Sequence, residues 1–431
     1  MLQKSAAQIV RENYYEYGKF INLGGRVICD EKDGLKAVQR RILYAAYKIA
    51  SKRPVKTATL VGETMGKYHP HGDSSIAGAV AGFVRDGFLD GVGNFGSNVG
   101  LDIIEPAAMR YTECMLNEQI NKLAFKYIED VPYFNNDLSF MEPQYLPTPL
   151  PLNLIHFADT EDYVSAIGFG VAYTLPKFDL NDMFDLLKDI VENKPITNKV
   201  HLRYKSISIP CPDKLFYEGF DSVLTTARYV VSKDKKSFNI IEFPAMMQPK
   251  TPRKLLEPFD TIVQDFSKET TNVYVELTKG RTVDDFDMNK LLTTKVNVDM
   301  YFHNDKIVKH YSLPEIIKTT YSYYRQAVDN NLSKKITKLE EHINTVELLI
   351  KIKPYLNPLN EKTPKRIMDK CNLDEKTVEF LLKHTIKQIC TAEAHLEDSK
   401  KELTSLKHKK GHIDEFCLDE IEESLKSITH D

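Results

Sequence analysis

A chain of 431 residues with a formal net charge of −3 is long enough for two or three domains and is not a general polycation. Hydrophobic residues make up 42% and charged residues 28%, which is typical of a globular protein and excludes a disordered one. No stretch approaches the roughly 18 apolar residues of a transmembrane helix, and the N-terminus lacks the apolar core of a secretion signal. The six cysteines form no CxxC pair, so neither a zinc site nor a disulfide framework is predicted. We therefore expect a cytoplasmic protein with no membrane partner and no metal site of its own.

Three helices are predicted in the first part of the chain. Apolar residues recur at helical spacing over residues 5–23, up to the Gly24-Gly25 break. A second apolar stripe runs from Val38 to Ile49 and should end at Pro54. A third helix, Ser74 to Val84, is rich in small residues and directly follows the sequence HPHGD. This order is compatible with a helix-turn-helix or winged-helix module. The small residues suit contact with another helix or with a DNA groove, and the sequence leaves both open.

A basic segment surrounds the second helix. Residues 35–70 contain eight lysines and arginines against the single acid Glu63. The basic residues are Lys36, Arg40, Arg41, Lys48, Lys52, Arg53, Lys56 and Lys67. A local basic face on a near-neutral protein favours binding to the phosphate backbone of a nucleic acid. Taken alone, the cluster is better explained by a solvated helix face, so the other motifs have to decide.

A glycine-rich loop, DGVGNFGSNVG, occupies residues 90–100. A phosphate-cradling P-loop requires the pattern GxxxxGK[ST], which this sequence does not contain. We therefore expect the chain not to bind ATP through such a loop. A strand or short loop and then another helix are predicted from residue 107 to residue 123.

The remaining chain divides into segments of different character. A stretch rich in proline and aromatic residues, 132–151, is interpreted as a domain junction. Strand-like runs at Arg228 and Phe238 place residues 146–311 in an α+β domain that is separate from residues 1–145. Segments 312–354 and 388–431 are predicted to form long antiparallel coiled-coil arms, with a compact helical knob at 355–387. The fold class is thus α+β and multidomain.

The arms are predicted from capping and heptad patterns. Ser312-Leu-Pro-Glu315 is a capping box, and a continuous helix from Glu315 to Lys353 would be about 55 to 60 Å long. Apolar residues follow at heptad spacing at Leu332, Ile336, Leu339, Ile343, Val346 and Ile350. A returning seam contains Ile389, Ala392, Leu396, Leu403, Leu406 and Ile413. A lever or a dimer strut fits this pattern better than a plain packed hairpin, because both helices far exceed the average length.

The candidate catalytic residues are Arg110 and Tyr111, in the segment AAMRYTE. A tyrosine hydroxyl has a pKa of about 10, so a nucleophilic tyrosine needs cations beside it. Arg110 is adjacent and suits the negative charge that develops on an attacked phosphoryl group. His71 is a candidate donor to the phosphate or base for the phenol, and Arg26 with the basic face can hold neighbouring phosphates. For His69 we expect a structural role in the turn.

Several segments together resemble a known family. RVICDEKDGLKAVQRRILYAAY, VGETMGKYHPHGDSS, DGVGNFGS and AAMRYTE are similar, in order and spacing, to the breakage–reunion subunit of type IIA DNA topoisomerases. That family comprises the A-type subunits of gyrase and topoisomerase IV and their phage relatives. Weaker similarity through EPQYLP, AIGFGVAYTLP and NIIEFP extends the resemblance over nearly the whole chain.

The resemblance implies a site and an activity. Tyr111 would attack a DNA phosphate and form a 5′-phosphotyrosyl link, with Arg110, His71 and Arg26 assisting. Ile167 matches the family's isoleucine that is wedged between base pairs to bend the duplex, although an ordinary core position is also open. The DNA-binding set implied is Lys36, Arg40, Arg41, Lys67, Ser74 and Ile167. Residues 1–145 would be the winged-helix DNA-gate domain, residues 146–311 the tower, and residues 355–387 the dimerisation knob.

The resemblance also implies partners. These are double-stranded DNA, a second copy bound through the knob, and a B-type subunit that binds both Mg²⁺ and ATP, giving an A2B2 enzyme. Because the sequence ends at Asp431 after the second arm, without a DNA-wrapping domain, relaxation or decatenation is expected rather than negative supercoiling. Departures such as Cys29 and Ala37, where the family usually has prolines, suggest a viral or divergent member.

Two other functions compete with this interpretation. A helix-turn-helix regulator that dimerises through a coiled coil would explain the basic face and the arms, but not HPHGD, GNFGS and RYTE together. A tyrosine recombinase would have its tyrosine near the end of the chain, whereas Tyr111 lies in the first third.

Overall fold

A computed structural model of the chain describes residues 5–24, 26–97, 99–157, 163–204, 207–245, 251–259, 261–268, 270–355, 363–384, 391 and 393–426. The fold is mixed α and β, with one long helix and several small sheets. It divides into two compact units, Met1–Tyr324 with Ser424–Asp431, and Arg325–Glu423. The predicted boundary between residues 145 and 146 lies inside the first unit and stays a prediction.

The first unit begins with helices joined by short strands. In chain order they are α1 (Ala6–Leu23), β1 (Cys29–Asp30), α2 (Ala37–Ile49), β2 (Val55–Lys56), α3 (Thr57–Lys67), α4 (Asp73–Arg85), β3 (Leu89–Val92), β4 (Glu113–Leu116) and α5 (Glu118–Phe125). Helix α1 starts in a capping box in which the Ser5 hydroxyl accepts from the Gln8 N–H. It ends at the predicted glycines, of which Gly25 lies outside the described residues. The predicted helices at 5–23 and 74–84 and the strand and helix after residue 107 are confirmed.

Two features of this part differ from the prediction. Helix α2 ends at Ile49, five residues before Pro54, because the chain must turn there to enter β2. Helix α3 was not predicted, since its sequence TATLVGETMGK combines two glycines with β-branched residues, which weaken helical signals. Packing supplies what the local sequence lacks, because Leu60, Val61 and Thr64 are buried.

A three-stranded antiparallel sheet closes this helical part. Strand β4 is central, and Cys114 pairs with Val55 of β2 on one side and with Gly91 of β3 on the other. The segment that precedes β4 carries Arg110 and Tyr111 and continues directly into a strand that is paired on both edges. The sheet thereby fixes the position of Tyr111 on the surface of the protein.

The rest of the first unit is built mainly from antiparallel strands. The elements are β5 (Tyr133–Asn135), β6 (Met141–Pro143), β7 (Tyr163–Ile167), β8 (Ala172–Pro176), α6 (Leu180–Val191), β9 (His201–Tyr204), β10 (Ile207–Pro210), α7 (Asp213–Glu218), β11 (Phe220–Thr226), β12 (Arg228–Val231), β13 (Ser237–Glu242), α8 (Thr251–Leu256), β14 (Thr261–Asp265), β15 (Val273–Leu277), α9 (Met288–Leu291), β16 (Thr293–Asp299), β17 (Tyr301–His303) and β18 (Val308–His310). The strands predicted at Arg228 and Phe238 are therefore confirmed.

Two contacts connect the early and late parts of this unit. Strand β1 pairs in parallel with β17, where Cys29 lies opposite Phe302. The four-stranded sheet β12-β13-β15-β14 packs a hydrophobic core that also contains Leu101, which follows the glycine-rich loop. Residues on both sides of the proposed 145/146 boundary thus share one core.

The second unit is helical. Helix α10 (Leu313–Ile352) has 40 residues, about 60 Å at the ordinary rise, and only its first turns belong to the first unit. The predicted start is confirmed, because the Ser312 hydroxyl accepts from the Glu315 N–H. The other helices are α11 (Thr363–Cys371), α12 (Glu375–Leu381), α13 (Leu396–Gly411) and α14 (Ile413–Lys426). None of the helices in the described part of the chain is long and apolar enough to cross a membrane.

Helices α10 and α13 run antiparallel. Lys400 pairs with Glu347 at 2.8 Å and Lys407 with Glu340 at 2.7 Å. Residue numbers therefore rise along α13 as they fall along α10. The long returning helix that was predicted is divided in the described residues, because α13 ends at Gly411 after 16 residues and α14 begins at Ile413. The first seam is buried at Leu332, Ile343 and Val346, and Leu349 is buried in place of Ile350 near its end. In the second seam Leu396, Leu403 and Leu406 are half-buried and Ile413 is buried, while Ile389 and Ala392 lie outside the described residues.

The predicted knob is described in part. Its helices α11 and α12 pack Ile367, Cys371, Val378 and Leu381 against Leu349 and Ile352 near the end of α10. Residues 356–362 and 385–387 of the predicted knob lie outside the described residues. Coiled-coil and knob assignments therefore remain proposals.

Candidate functional site

Tyr111 combines an exposed side chain with a fixed backbone. The residue is 66% exposed, whereas the next residue, Thr112, is buried. The Tyr111 N–H donates to the Ala108 carbonyl at 2.8 Å, and the Thr112 carbonyl accepts from the Thr57 N–H at 3.0 Å. The Thr112 hydroxyl also donates to the Thr57 hydroxyl at 2.8 Å. The phenol is therefore presented to solvent from a backbone that is anchored at the start of α3.

Arg110 lies directly over the tyrosine ring. The Cζ atom of its guanidinium is 4.6 Å from the ring centroid of Tyr111, a cation–π geometry. Arg110 is exposed as well, so both side chains face the same solvent region. A guanidinium held there offers several N–H donors to an anion that approaches the phenol.

The glycine-rich loop packs beneath this segment. Gly93 has φ +108°, and a Cβ added to it would sit 3.2 Å from the Thr112 methyl group. The Asn94 carbonyl accepts from the Ala107 N–H at 2.9 Å. Gly96 has φ +84°, and an added Cβ would lie 2.6 Å from the Ile104 carbonyl oxygen. The glycines are thus required by close backbone approach, and the loop supports the tyrosine segment.

The same loop is anchored in the four-stranded sheet region. Leu101 is 5% exposed in that core, and its N–H donates to the Asp265 carboxylate at 2.7 Å. The Thr271 hydroxyl donates to the Val99 carbonyl at 2.7 Å, and Arg253 forms an ion pair with Asp102. Sequence reasoning did not identify this anchor, since the lone apolar Leu101 after a glycine loop gives no periodic signal.

A second cluster forms at the HPHGD turn between α3 and α4. The His69 and His71 rings stack with centroids 4.1 Å apart, and the His69 Nδ1 lies 3.1 Å from a guanidinium nitrogen of Arg41. Burial, with the charges of His71, Arg41 and Arg26, lowers the pKa of His69 to about 4. Burial, with Arg26 and Arg41, also lowers the pKa of the exposed His71. His71 is therefore neutral near pH 7 and able to accept a proton, with Arg26 exposed in the same neighbourhood.

Within one chain, α3 separates this cluster from Tyr111. The Ala58 N–H in the first turn of α3 donates to the Met109 carbonyl, beside the tyrosine, at 3.1 Å. His71 follows the other end of α3, which is 11 residues long, or about 16 Å at the ordinary helical rise. The predicted catalytic residues therefore form two groups, Arg110 with Tyr111 and Arg26 with His71.

The predicted DNA contacts Arg40 and Arg41 bind carboxylates of the protein itself. The Arg40 guanidinium donates to Asp33 at 2.6 Å and to Asp30 at 2.9 Å, and its side chain is only 13% exposed. Burial opposes ionisation of Asp30, but Arg40 and Lys32 outweigh it and lower the pKa of that carboxyl. Arg41 pairs with Glu142 at 2.7 Å. These geometries give Arg40 and Arg41 structural roles, and their contact with DNA stays a prediction.

The sequence contained part of this information. Asp30 and Asp33 lie just before the basic segment that begins at residue 35, and Glu142 is about a hundred residues away along the chain. Extending the segment by a few residues toward the N-terminus would include the first two acids. Only the tertiary structure brings Glu142 to Arg41.

Lys36, Lys67 and Ser74 are more accessible. The Lys36 ammonium donates to the Ser165 carbonyl at 3.3 Å, and Lys67 pairs with Glu63 at 2.8 Å across one helical turn. Ser74 is exposed in the first turn of α4, and an added Cβ on Gly78, one turn later, would meet no atom within 4 Å. The small-residue face of α4 is thus open at these positions, and in the described structure it does not pack there on another helix.

Ile167 lies at the tip of the β7–β8 hairpin and is 87% exposed. It pairs with Ala172 across the hairpin, and the Gly168 N–H donates to the Val171 carbonyl at 2.7 Å to close the turn. The alternative that Ile167 is an ordinary core residue is therefore wrong. A fully exposed isoleucine on a projecting turn suits contact with another molecule.

The described residues offer no group of three or more His, Cys, Asp or Glu side chains that could hold a metal ion. The carboxylates that contact Arg40 and Arg41, which are Asp30, Asp33 and Glu142, are neutralised by those arginines. These residues do not fit a Mg²⁺ site.

Comparison with known proteins gives a consistent family. The family model for the A subunit of DNA gyrase/topoisomerase IV matches residues 26–428. The DNA gyrase A subunit of Buchnera aphidicola subsp. Acyrthosiphon pisum (strain APS) is 26% identical over 435 residues, covering 89% of this chain and 50% of the relative. The DNA topoisomerase 4 A subunit of Neisseria gonorrhoeae is 34% identical over 245 residues, covering 51% of this chain and 30% of the relative. The chloroplastic/mitochondrial DNA gyrase A subunit of Nicotiana benthamiana is 37% identical over 215 residues, covering 47% and 21%.

The matched part of this chain thus spans half or less of the length of these relatives. The family model nevertheless extends over most of the chain, including the tyrosine segment, the HPHGD turn, the hairpin tip and the helical unit. The chain belongs to the family of DNA gyrase/topoisomerase IV A subunits.

Proposed function

We propose that this chain is the DNA-cleaving and religating subunit of an ATP-dependent type II DNA topoisomerase. Its substrate is double-stranded DNA, which it cuts transiently so that a second duplex can pass, relaxing or decatenating the DNA. The observation that carries the proposal is the exposed Tyr111 phenol on an anchored backbone, with the Arg110 guanidinium over its ring. Family membership supports it.

The proposed chemistry is a reversible phosphoryl transfer. The Tyr111 hydroxyl oxygen bonds to the phosphorus as the bond from phosphorus to the 3′ oxygen of the preceding nucleotide breaks. The phenol loses its proton, the departing 3′ oxygen gains one, and the product is a 5′-phosphotyrosyl link. Attack by the 3′ hydroxyl reverses both bond changes and reseals the strand. The Arg110 guanidinium stabilises the charge that develops on the transferred phosphoryl oxygens.

Arg26 and His71 do not lie beside the Tyr111 of their own chain. Helix α3, about 16 Å long at the ordinary rise, lies between His71 and the tyrosine segment of the same chain. We therefore propose a composite site in which Arg26 and neutral His71 meet the tyrosine of a second copy, with His71 receiving or returning the phenol proton. Lys36, Lys67 and Ser74 hold neighbouring phosphates from their exposed or half-exposed positions.

The same proposal assigns the larger parts of the chain. Residues 1–145 form a winged-helix DNA gate, residues 146–311 a tower whose Ile167 bends the duplex, and residues 312–354 and 388–431 coiled-coil arms. Two copies pair through residues 355–387. A B-type partner subunit binds ATP and supplies Mg²⁺, and the assembly is A2B2.

The test is the covalent adduct. The chain is co-expressed with the product of the neighbouring gene and incubated with Mg²⁺ and a duplex labelled at its 3′ ends, and the reaction is stopped with denaturant. We expect a labelled protein–DNA adduct for wild type and for Tyr217→Phe, a control at an exposed tyrosine of α7. Tyr111→Phe should form none while binding duplex as wild type does, because only the nucleophilic oxygen is lost.

Persistence of the adduct in Tyr111→Phe would reject Tyr111 as the nucleophile. Absence of any adduct from the wild-type protein, with duplex binding intact, would instead favour the non-catalytic helix-turn-helix regulator.

A further inference from the structure

The hairpin tip that carries Ile167 also carries an aromatic residue, Phe169, whose side chain packs on the protein. Phe169 is two residues from Ile167, yet it is half-buried whereas Ile167 is 87% exposed. The turn closed by Gly168 and Val171, with Gly170 at φ +74°, breaks the alternation of the strand and lets the two side chains diverge.

Phe169 is held by helix α1. Its ring contacts the rings of Tyr14, at 5.4 Å between centroids, and Tyr17, at 4.9 Å, both in T-shaped geometry. Gly18 makes the approach possible, because a Cβ there would lie 2.9 Å from the Phe169 Cβ. The helix face and the hairpin tip therefore fit against each other at a glycine.

A backbone contact reinforces this aromatic contact. The Asn22 amide, 9% exposed, donates to the Phe169 carbonyl at 3.0 Å. A Cβ on Gly168 would lie 2.8 Å from the Asn22 Oδ1. Side-chain and main-chain atoms of the tip are thus both fixed by one helix, α1.

Such a support matters because the hairpin is a two-stranded sheet, which by itself is marginally stable. Strand β8 is anchored by Tyr173 and Leu175, which are buried. An apolar side chain that enters a base step must withstand the resistance of stacked bases. If the tip were held only through β8, the stacked bases would displace it, and the duplex would stay unbent.

We propose that Phe169, seated on Tyr14 and Tyr17 and tied by Asn22, is a positioning residue that holds Ile167 for DNA bending. Helix α1 is thereby part of the bending device and acts through the position of Ile167. This inference rests on the proposed function of Ile167 as the wedge.

The test compares bending with binding. A duplex of about 30 base pairs with a fluorophore at each end reports the bend by energy transfer, with the chain and its co-expressed partner present. Ile167→Ala should lower the bent population at unchanged DNA affinity. Phe169→Ala removes both aromatic pairs and should lower it about threefold to tenfold for each pair lost. The double variant Tyr14→Ala/Tyr17→Ala, which leaves the hairpin sequence intact, should do the same.

The matched control is Tyr14→Phe/Tyr17→Phe, which keeps both rings and should retain wild-type bending, because the contacts with Phe169 are between rings. Thermal unfolding of each variant identifies any that fails to fold. A folded Tyr14→Ala/Tyr17→Ala variant with wild-type bending overturns the inference, provided that Ile167→Ala bends less. If Ile167→Ala itself bends normally, the wedge assignment in the proposed function fails first.

Discussion

The two arginine-bearing segments at residues 40–41 and 110–111 have opposite environments. At the first, Arg40 is nearly buried against Asp30 and Asp33, and Arg41 pairs with Glu142. At the second, Arg110 lies over the ring of an exposed tyrosine. The first set of charges holds the fold together, and the second is available to an incoming anion. An arginine in a basic motif therefore does not by itself indicate a phosphate contact.

The largest expected effect is on stability, at Arg40. Arg40→Ala leaves Asp33 buried without its arginine, while Asp30 retains Lys32, and this should lower the free energy of unfolding by about 3 to 5 kcal/mol. Urea unfolding of the variant measures the change. Arg53→Ala removes an exposed arginine of the same segment and should cost less than about 0.5 kcal/mol. If Arg40→Ala changed the free energy of unfolding only slightly but weakened DNA binding, Arg40 would be a DNA contact like the residues of the second segment.

At Arg110 we expect a large effect on cleavage and a small effect on stability. Arg110→Ala should reduce adduct formation about a hundredfold to a thousandfold, as does the loss of one donor to a developing oxyanion. The free energy of unfolding should change by less than about 0.5 kcal/mol, because the side chain is exposed. Single-turnover cleavage and urea unfolding of the same preparation give both numbers. Wild-type cleavage in this variant would assign the phosphate to another cation.

His69 gives the comparison a pH dependence. Its pKa is lowered from 6.5 to about 4, so the native state keeps it neutral while the unfolded chain takes up a proton below pH 6.5. Stability should therefore be full above pH 6.5 and fall as the pH drops toward 4. His69→Gln, whose amide oxygen can still face Arg41, should show a shallower fall in this window.

Urea midpoints between about pH 4 and pH 7 measure that slope, with His395→Gln as a control at an exposed histidine. The lowered pKa of His71 acts in the same direction, so the stability of His69→Gln should still fall somewhat as the pH drops. Loss of the stabilisation that Asp30 gives Arg40 belongs to lower pH, below the ordinary carboxyl pKa of 3.8. An unchanged slope in His69→Gln would show that burial does not hold this ring neutral.

The smallest effect is expected where both partners of an ion pair are half exposed. Lys407 and Glu340 pair at 2.7 Å between α13 and α10, with side chains 54% and 47% exposed. Lys407→Ala should cost less than about 1 kcal/mol, and added salt should reduce the difference further. Urea unfolding at low and high salt checks it. A cost as large as that of Arg40→Ala would mean that burial is not what distinguishes the two kinds of pair.

Much of the helical architecture followed from local pattern. Helix α1, helix α4 and the 40-residue α10 were predicted near their observed bounds, because capping residues and apolar periodicity act within a few turns. Helix α3 was missed, since its formation depends on burial against neighbouring elements. The anchor at Leu101 was missed for the same reason, as its partner Asp265 lies 164 residues away along the chain.

By itself the sequence determined the family motifs, the candidate nucleophile and the 40-residue helix α10, because these depend on residue identity and short-range spacing. Only the tertiary structure decided which arginines are neutralised by carboxylates and which remain exposed. It also decided that Ile167 is exposed, that Phe169 rests on α1, and that α3 separates His71 from Tyr111. The physical reason is that burial and charge pairing depend on distances in space, which positions along the chain do not specify.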